Sequence, residues 1–379
     1  MMISSLYLHV PFCRHLCNYC DFYKKKLQAG SQQWDDYESF LQASWDVLER
    51  KLESLDLSLA PLKTLYLGGG TPSLWGKRGA DFLQQFFSRN KIILDKNCEA
   101  TLEVDPGTCT FEDLEAFKAW GFNRFSVGAQ ALTPSMLQQL DRLHTKEEIL
   151  TLLEWMKGKN YSLDLLIGAP EEKPRNVLQE LDEFLDYRPT HFSLYILQAR
   201  VGYPAKSRIP ADEKIADEYL QVHQFLTQKG FEHYEVSNFC LPGKASVHNQ
   251  RYWSAEPVLA LGPNATGYLG VFETRESNVE KRGLRYQWKS SSAQFQEESL
   301  NIDQLLLEKL YLTLRSQKMW QVADFWNGPD ASKMVFRWEN LGYVETRGQE
   351  NWTVTAKGWT ILDSLVEESL RFLKSSKYL

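Results

Sequence analysis

Three of the six cysteines in this 379-residue chain stand close together in the stretch PFCRHLCNYCDFY, Pro11–Tyr23. Cys13, Cys17 and Cys20 follow the spacing C-x-x-x-C-x-x-C, which admits a disulfide network, a zinc site or an iron–sulfur site. Disulfides are disfavoured. Met1–Pro11 carries no basic segment leading into an apolar stretch, so the expectation is a reducing compartment, the cytoplasm. A structural zinc ion takes four closed ligands, and His9 or His15 could complete the set. In a 4Fe-4S cluster three cysteines leave one iron open to a small chelating ligand. No second cysteine pair stands at finger spacing, which favours the cluster and leaves zinc as the alternative. Cys98, Cys109 and Cys240 occur singly and read as small buried hydrophobes.

The elements that must hold these cysteines are legible in the hydrophobic pattern. Six short β-prone runs occur at Ser5–Val10, Thr64–Gly69, Ala100–Val104, Arg124–Gly128, Leu163–Gly168 and His191–Leu197. Between them apolar residues recur at helical intervals, over Trp34–Leu55, Phe111–Trp120, Lys146–Lys157 and Asn176–Tyr187. Alternating strands and helices predict parallel βα units; six are too few for a closed eight-unit barrel and fit a partial (β/α)6 barrel. The unusual residues cluster at the C-terminal ends of these runs: the cysteines after the first, Gly68-Gly69-Gly70-Thr71 after the second, Glu103–Pro106 after the third, Gly128–Gln130 after the fourth, and Asp164 with Gly168 at the fifth. That rim is where βα barrels build active sites.

A further helix is expected at Tyr219–Lys229. Past Asn301 the pattern becomes helix (Leu305–Ser316), helix (Met334–Tyr343), hairpin (Tyr343–Thr355, turning at Arg347–Glu350) and a last helix after Gly358. This predicts a small winged-helix-like α+β module. The expected organisation is a barrel with its extension over 1–275, a connecting segment over 276–300 and the module over 301–379. Residues 301–379 hold 10 Lys+Arg against 10 Asp+Glu, and the whole chain carries a net charge of −6, so nucleic acid is not an expected partner. No run of about 18 apolar residues occurs, so no membrane span is expected. Twelve tryptophans and seventeen tyrosines fit either a cavity with flat surfaces or core packing.

In chain order, YLHVPFC, CNYCDF, YLGGGTPS, LEVDPGT, GFNRFSVGAQ, YEVSNF and HNQRYW resemble the oxygen-independent coproporphyrinogen III oxidase family of the radical S-adenosylmethionine (SAM) superfamily. The resemblance covers residues 1 to about 275, with a tail similar to that family's C-terminal domain. It implies that Cys13, Cys17 and Cys20 hold a 4Fe-4S cluster whose open iron takes the amino and carboxylate groups of SAM, and that an electron from the cluster then cleaves SAM to a 5′-deoxyadenosyl radical. It further implies that Gly68, Gly69, Gly70 and Thr71 let the backbone approach SAM, that Glu103, Gln130, Arg142 and Asp164 hold it, and that Tyr7 and Tyr19 flank the cluster.

Within the family, the true oxidases carry a further cysteine two residues after the third; here that position is Phe22. HNQRYW instead resembles the H-N-x-x-Y-W motif of the branch typified by the heme chaperone HemW. This branch implies heme as a ligand, delivery to an acceptor protein, a small redox protein (flavodoxin or ferredoxin) as electron donor, and a possible homodimer. His248 becomes the candidate heme-side residue. Lys281, Arg282 and Arg285 are candidates for heme propionates or for a solvated face. Asn264-Ala265-Thr266 stands where the family usually has G-A-H, and Gly168-Ala169-Pro170-Glu171-Glu172 replaces G-L-P-G-Q. The alternatives are decarboxylation of coproporphyrinogen III to protoporphyrinogen, or radical SAM chemistry on another substrate.

Overall fold

A computed structural model describes residues 2–170, 175–198, 202–273, 281–326, 329–348 and 351–373. The six expected βα strands form, as β1 (Met2–Val10), β2 (Ser58–Gly69), β3 (Leu94–Val104), β4 (Arg124–Gln130), β5 (Tyr161–Ile167) and β6 (His191–Ile196). Each pairs in parallel with the next. The sheet extends beyond both ends of that series. β7 (Glu232–Glu235) and β8 (Asn238–Cys240) add antiparallel strands past β6, and β9 (Leu259–Leu261) adds a parallel strand beside β1. The order β9-β1-β2-β3-β4-β5-β6-β8-β7 has two free edges, so the barrel is open.

Alternate residues along each strand divide the two faces. Leu6, Leu8, Leu65, Leu67, Leu102, Val127, Leu163, Leu165 and Phe192 are fully buried in one apolar core with the helices. Each such leucine contributes roughly 1.5–3 kcal/mol of burial. Their strand neighbours are polar and face the other way. Tyr7 stands beside Tyr66, Tyr66 beside Thr101, Thr101 beside Arg124, Ser126 beside Ser162, and Ser162 beside His191. The concave face is thus lined with hydroxyl, carboxyl and basic groups.

The helices start where side chains can satisfy their free N–H groups. Thr110 and Asp113 form a reciprocal capping pair for Phe111–Trp120, Thr145 and Glu148 do so for Lys146–Met156, and Asn176 caps Val177–Leu185. The helix expected at Tyr219–Lys229 begins earlier and spans Asp212–Gln228.

Strands at Thr266–Glu273, Lys281–Trp288 and Phe295–Leu300 form a separate antiparallel sheet. Helices at Ile302–Leu314, Val322–Phe325 and Pro329–Asn340 then precede the hairpin Val344–Thr346/Trp352–Val354, and Ala356–Trp359 and Leu362–Ser369 end the winged-helix-like module. Most tryptophans are core: Trp288, Trp320, Trp326 and Trp338 are all at most 2% exposed. Glu171 and Glu172 and the end of the predicted hairpin turn, Gln349 and Glu350, lie outside the described residues.

Candidate functional site

A cavity of about 1000 Å³ opens at the C-terminal rim of the barrel. Cys13, Cys17, Cys20, Tyr19, Gly69, Gly70, Thr71, Glu103, Gln130, Arg142 and Asp164 all line it. Tyr7, Gly68 and His248 are the predicted site residues that do not.

At the cysteine end the loop is held by its neighbours. Gly70 N and Thr71 N donate to Val10 O and Phe12 O, both at 2.7 Å. A Cβ on Gly70 would stand 2.6 Å from Phe12 O and 2.9 Å from Cys13 Sγ. Glycine is therefore required by the cysteine loop itself. At Gly68 the space is filled by Tyr66 and by Glu103. Tyr7 stands behind the loop: its hydroxyl bonds His9 Nδ1 at 3.0 Å, and His9 Nε2 bonds Tyr23 O at 2.9 Å. Both nitrogens of His9 are thereby engaged, which removes it from the zinc alternative. His15 Nε2 lies 2.9 Å from Asp141.

Burial pushes the Cys13 thiol up to about 11, opposed by Thr71, and raises Cys17, opposed by Arg142. Binding a soft metal requires loss of these protons. Thr71 and Arg142 are the protein groups that favour it. Among the described residues no three His, Cys, Asp or Glu side chains converge on one ion position; cysteines that each bind a different iron do not need to. The donor set, three thiols on one cavity wall beside a guanidinium, fits an iron–sulfur cluster.

Arg142 is the hub of this end. Its guanidinium donates to Cys17 Sγ at 3.6 Å, to Tyr19 Oη at 3.3 Å and to Gly128 O at 3.3 Å, and it pairs with Asp105. His144 Nδ1 lies 3.2 Å from the same carboxylate. Asp105 and His144 were not among the predicted residues. Asp105 was visible inside LEVDPGT as an acid at a strand end; His144 had no sequence signal. Gln130 takes a left-handed backbone (φ 64°), uncommon outside glycine.

The floor is built by the polar face of the sheet. Glu103 accepts from Tyr66 Oη and from Gly69 N, both at 2.9 Å; burial nevertheless raises it to about 7. Burial also raises Asp164, against hydrogen bonds from Ser126 (2.7 Å) and Ser162 (3.1 Å). Ser162 Oγ then meets His191 Nδ1 at 2.8 Å, and His191 Nε2 meets Tyr234 Oη at 2.8 Å. With both nitrogens bonded and 1% exposure, His191 is structural.

His248 lies deeper in the barrel. Its Nδ1 bonds Thr64 Oγ1 at 2.9 Å, its ring packs on Tyr66 and Tyr252, and it is 1% exposed, with burial driving it down to about 3. The structure does not bring it to the cavity. The far end of HNQRYW does reach a ligand-sized space: Arg251 and Trp253 line a second cavity of about 580 Å³ with Lys318. Arg285 pairs with Glu298 and Glu308; the Lys281 side chain lies outside the described residues. The Asn264–Thr266 stretch packs beside Trp288, whose N–H donates to Ala265 O, and it is not part of either cavity wall. Phe22, at the position of the oxidases' further cysteine, is 71% exposed at the mouth.

Residues 7–184 match the Radical SAM superfamily. The chain is 30% identical over 370 residues to the heme chaperone HemW of Synechocystis, covering 93% of this chain and 88% of that one. It is 31% identical to the heme chaperone HemW of Escherichia coli K12 over 69% of each chain. In fold it is similar to the coproporphyrinogen III oxidase HemN of Escherichia coli, a radical SAM enzyme, with a TM-score of 0.75, 20% identity and coverage of 96% of this chain and 89% of that one. Identity that runs through the barrel and the C-terminal module alike, on top of a three-cysteine rim, leads to one conclusion: the chain belongs to the HemW family of radical SAM proteins.

Proposed function

We propose that this protein is a heme chaperone that carries a 4Fe-4S cluster and SAM, binds heme and hands it to acceptor proteins. Membership of the radical SAM superfamily implies the cluster and SAM. Cys13, Cys17 and Cys20 would hold the cluster, and Gly68–Thr71, Glu103, Gln130, Arg142 and Asp164 would hold SAM. Together the two groups supply one-electron chemistry at the cysteine end when bound. Arg142 has five N–H donors and can keep Asp105 and Tyr19 while orienting a ligand carboxylate. Glu103 and Asp164 are acceptors for hydroxyl or ammonium groups.

The observation that carries the reading is the near end-to-end likeness to HemW of Synechocystis in a chain with Phe22 where an oxidase has cysteine. Partners in this reading are heme, an acceptor protein, a small redox protein as electron donor and a second copy of the chain, in the cytoplasm. Among the described residues no helix is long and apolar enough to cross a membrane. The test is a pair of anaerobic assays on reconstituted protein with SAM. Saturable binding of heme at the Soret band, with no protoporphyrinogen formed from coproporphyrinogen III, supports the chaperone. Porphyrinogen turnover would replace it with the oxidase.

A further inference from the structure

The main cavity is larger than the cysteine site needs. At about 1000 Å³ it sits at the top of the range of roughly 300–1,000 Å³ for single-ligand sites. The predicted SAM-holding residues occupy only its cysteine end. Its outer end lies between the barrel and the C-terminal module, where Val236 and Ser237 of the YEVSNF stretch face Trp359, Ile361 and Leu362.

One cation stands in that outer wall. Arg315 ends the helix Ile302–Leu314 and donates from Nη1 to Tyr311 Oη at 2.9 Å. Its guanidinium carbon lies 5.5 Å from the centre of the Trp253 ring and 5.1 Å from that of Tyr311. Among the described residues it makes no ion pair with a carboxylate. Glu235, a carboxyl whose charge it favours, is fully buried, does not line the cavity and forms no ion pair with Arg315. Arg142 at the cysteine end, by contrast, is paired with Asp105. A guanidinium held between aromatic rings and left without a carboxylate is prepared to receive one from a ligand.

We propose that the outer end of this cavity is the site for a flat, apolar, carboxylate-bearing ligand, with Arg315 as its carboxylate anchor and Trp253 and Tyr311 as the rings that hold the anchor in place. This rests on the heme-chaperone reading and makes the ligand a tetrapyrrole bound through a propionate. It also gives the end of HNQRYW a positioning role: Trp253 acts on the ligand only through Arg315.

The test titrates hemin and hemin dimethyl ester, in which the propionates are blocked, into reconstituted wild type, Arg315→Ala, Arg315→Lys and Trp253→Leu, with SAM binding measured alongside. Arg315→Ala should weaken hemin binding roughly tenfold or more, the loss expected for a charge-assisted hydrogen bond. Arg315→Lys should restore part of it, and Trp253→Leu should fall between. SAM binding should stay at the wild-type level throughout. The diester should bind wild type as weakly as hemin binds Arg315→Ala. Wild type that binds hemin and its diester equally, or Arg315→Ala that binds hemin as wild type does, overturns the proposal and leaves the chaperone reading standing. Wild type that binds no hemin overturns both. Should Arg315→Ala fail to fold, the diester on wild type decides alone.

Discussion

The two ends of the main cavity are built on opposite principles. At the cysteine end the buried charged groups already have polar partners: Arg142 has Asp105, Glu103 has Tyr66 and Gly69, and Asp164 has three serines. At the outer end a guanidinium is clamped between rings with no ion-pair partner, and apolar residues of the C-terminal module complete the wall. A matched end is rigid and suits a cofactor that stays. An unmatched, flat-walled end suits a cargo that enters and leaves, because its favourable charge pairing forms only when the cargo is present.

The most severe break is Cys17→Ala. It should abolish cluster retention, read as iron and sulfide content after reconstitution, while circular dichroism stays at the wild-type signal because Cys17 is only half-buried. Full iron content in that variant would remove Cys17 from the cluster. Gly70→Ala should come next. The added methyl collides with Phe12 O and crowds Cys13 Sγ, so cluster retention should fall several-fold and stability by about 2–4 kcal/mol. Wild-type retention would show that the loop can shift away.

A buried acid immediately precedes Val236 and Ser237 of the outer end. Glu235 is fully buried and pushed up to about 7 by burial, above the ordinary 4.5. The native state therefore keeps a proton that the unfolded chain releases, and this carboxyl's stabilisation is lost as pH rises from about 4.5 to about 7. Glu235→Gln should match wild type near pH 4.5 and exceed it in denaturant midpoint near pH 8, by at most about 3 kcal/mol. A gap that does not grow with pH would mean Glu235 is ionised and paired. The smallest effect should come from His248→Ala: about 1–2 kcal/mol of stability from the lost Thr64 bond and ring packing, with heme stoichiometry intact. Loss of stoichiometric heme binding at unchanged stability would instead put the imidazole on the heme iron.

What could be read from sequence divides along the same line. The cysteine end is made of strand ends, and each strand carries its own signal: alternating leucines against polar residues, then glycine or acid at the terminus. Spacing within a few residues was enough to place Cys13, Gly70, Glu103, Gln130 and Asp164 on one rim. The outer end is made of pieces distant in sequence. Val236, Arg315 and Trp359 belong to the turn after β7, a helix terminus and the wing module, and no local pattern announces that they meet. Strands β7, β8 and β9 escaped for a related reason. They are three or four residues long; β9 and β8 join the sheet by long-range pairing with β1 and β6, and β7 then adds to β8. In HNQRYW the histidine is the residue that stands out in sequence, yet the short helix buries His248 and places Trp253 on the second cavity.

The separation of the two ends is tested most directly by titrating heme into the reconstituted protein with and without saturating SAM. The account predicts that both ligands occupy the same chain, with the same heme stoichiometry and a heme affinity that does not fall as SAM is raised. A heme dissociation constant that climbs in proportion to SAM concentration would mean the two ligands compete for one end, and would contradict it.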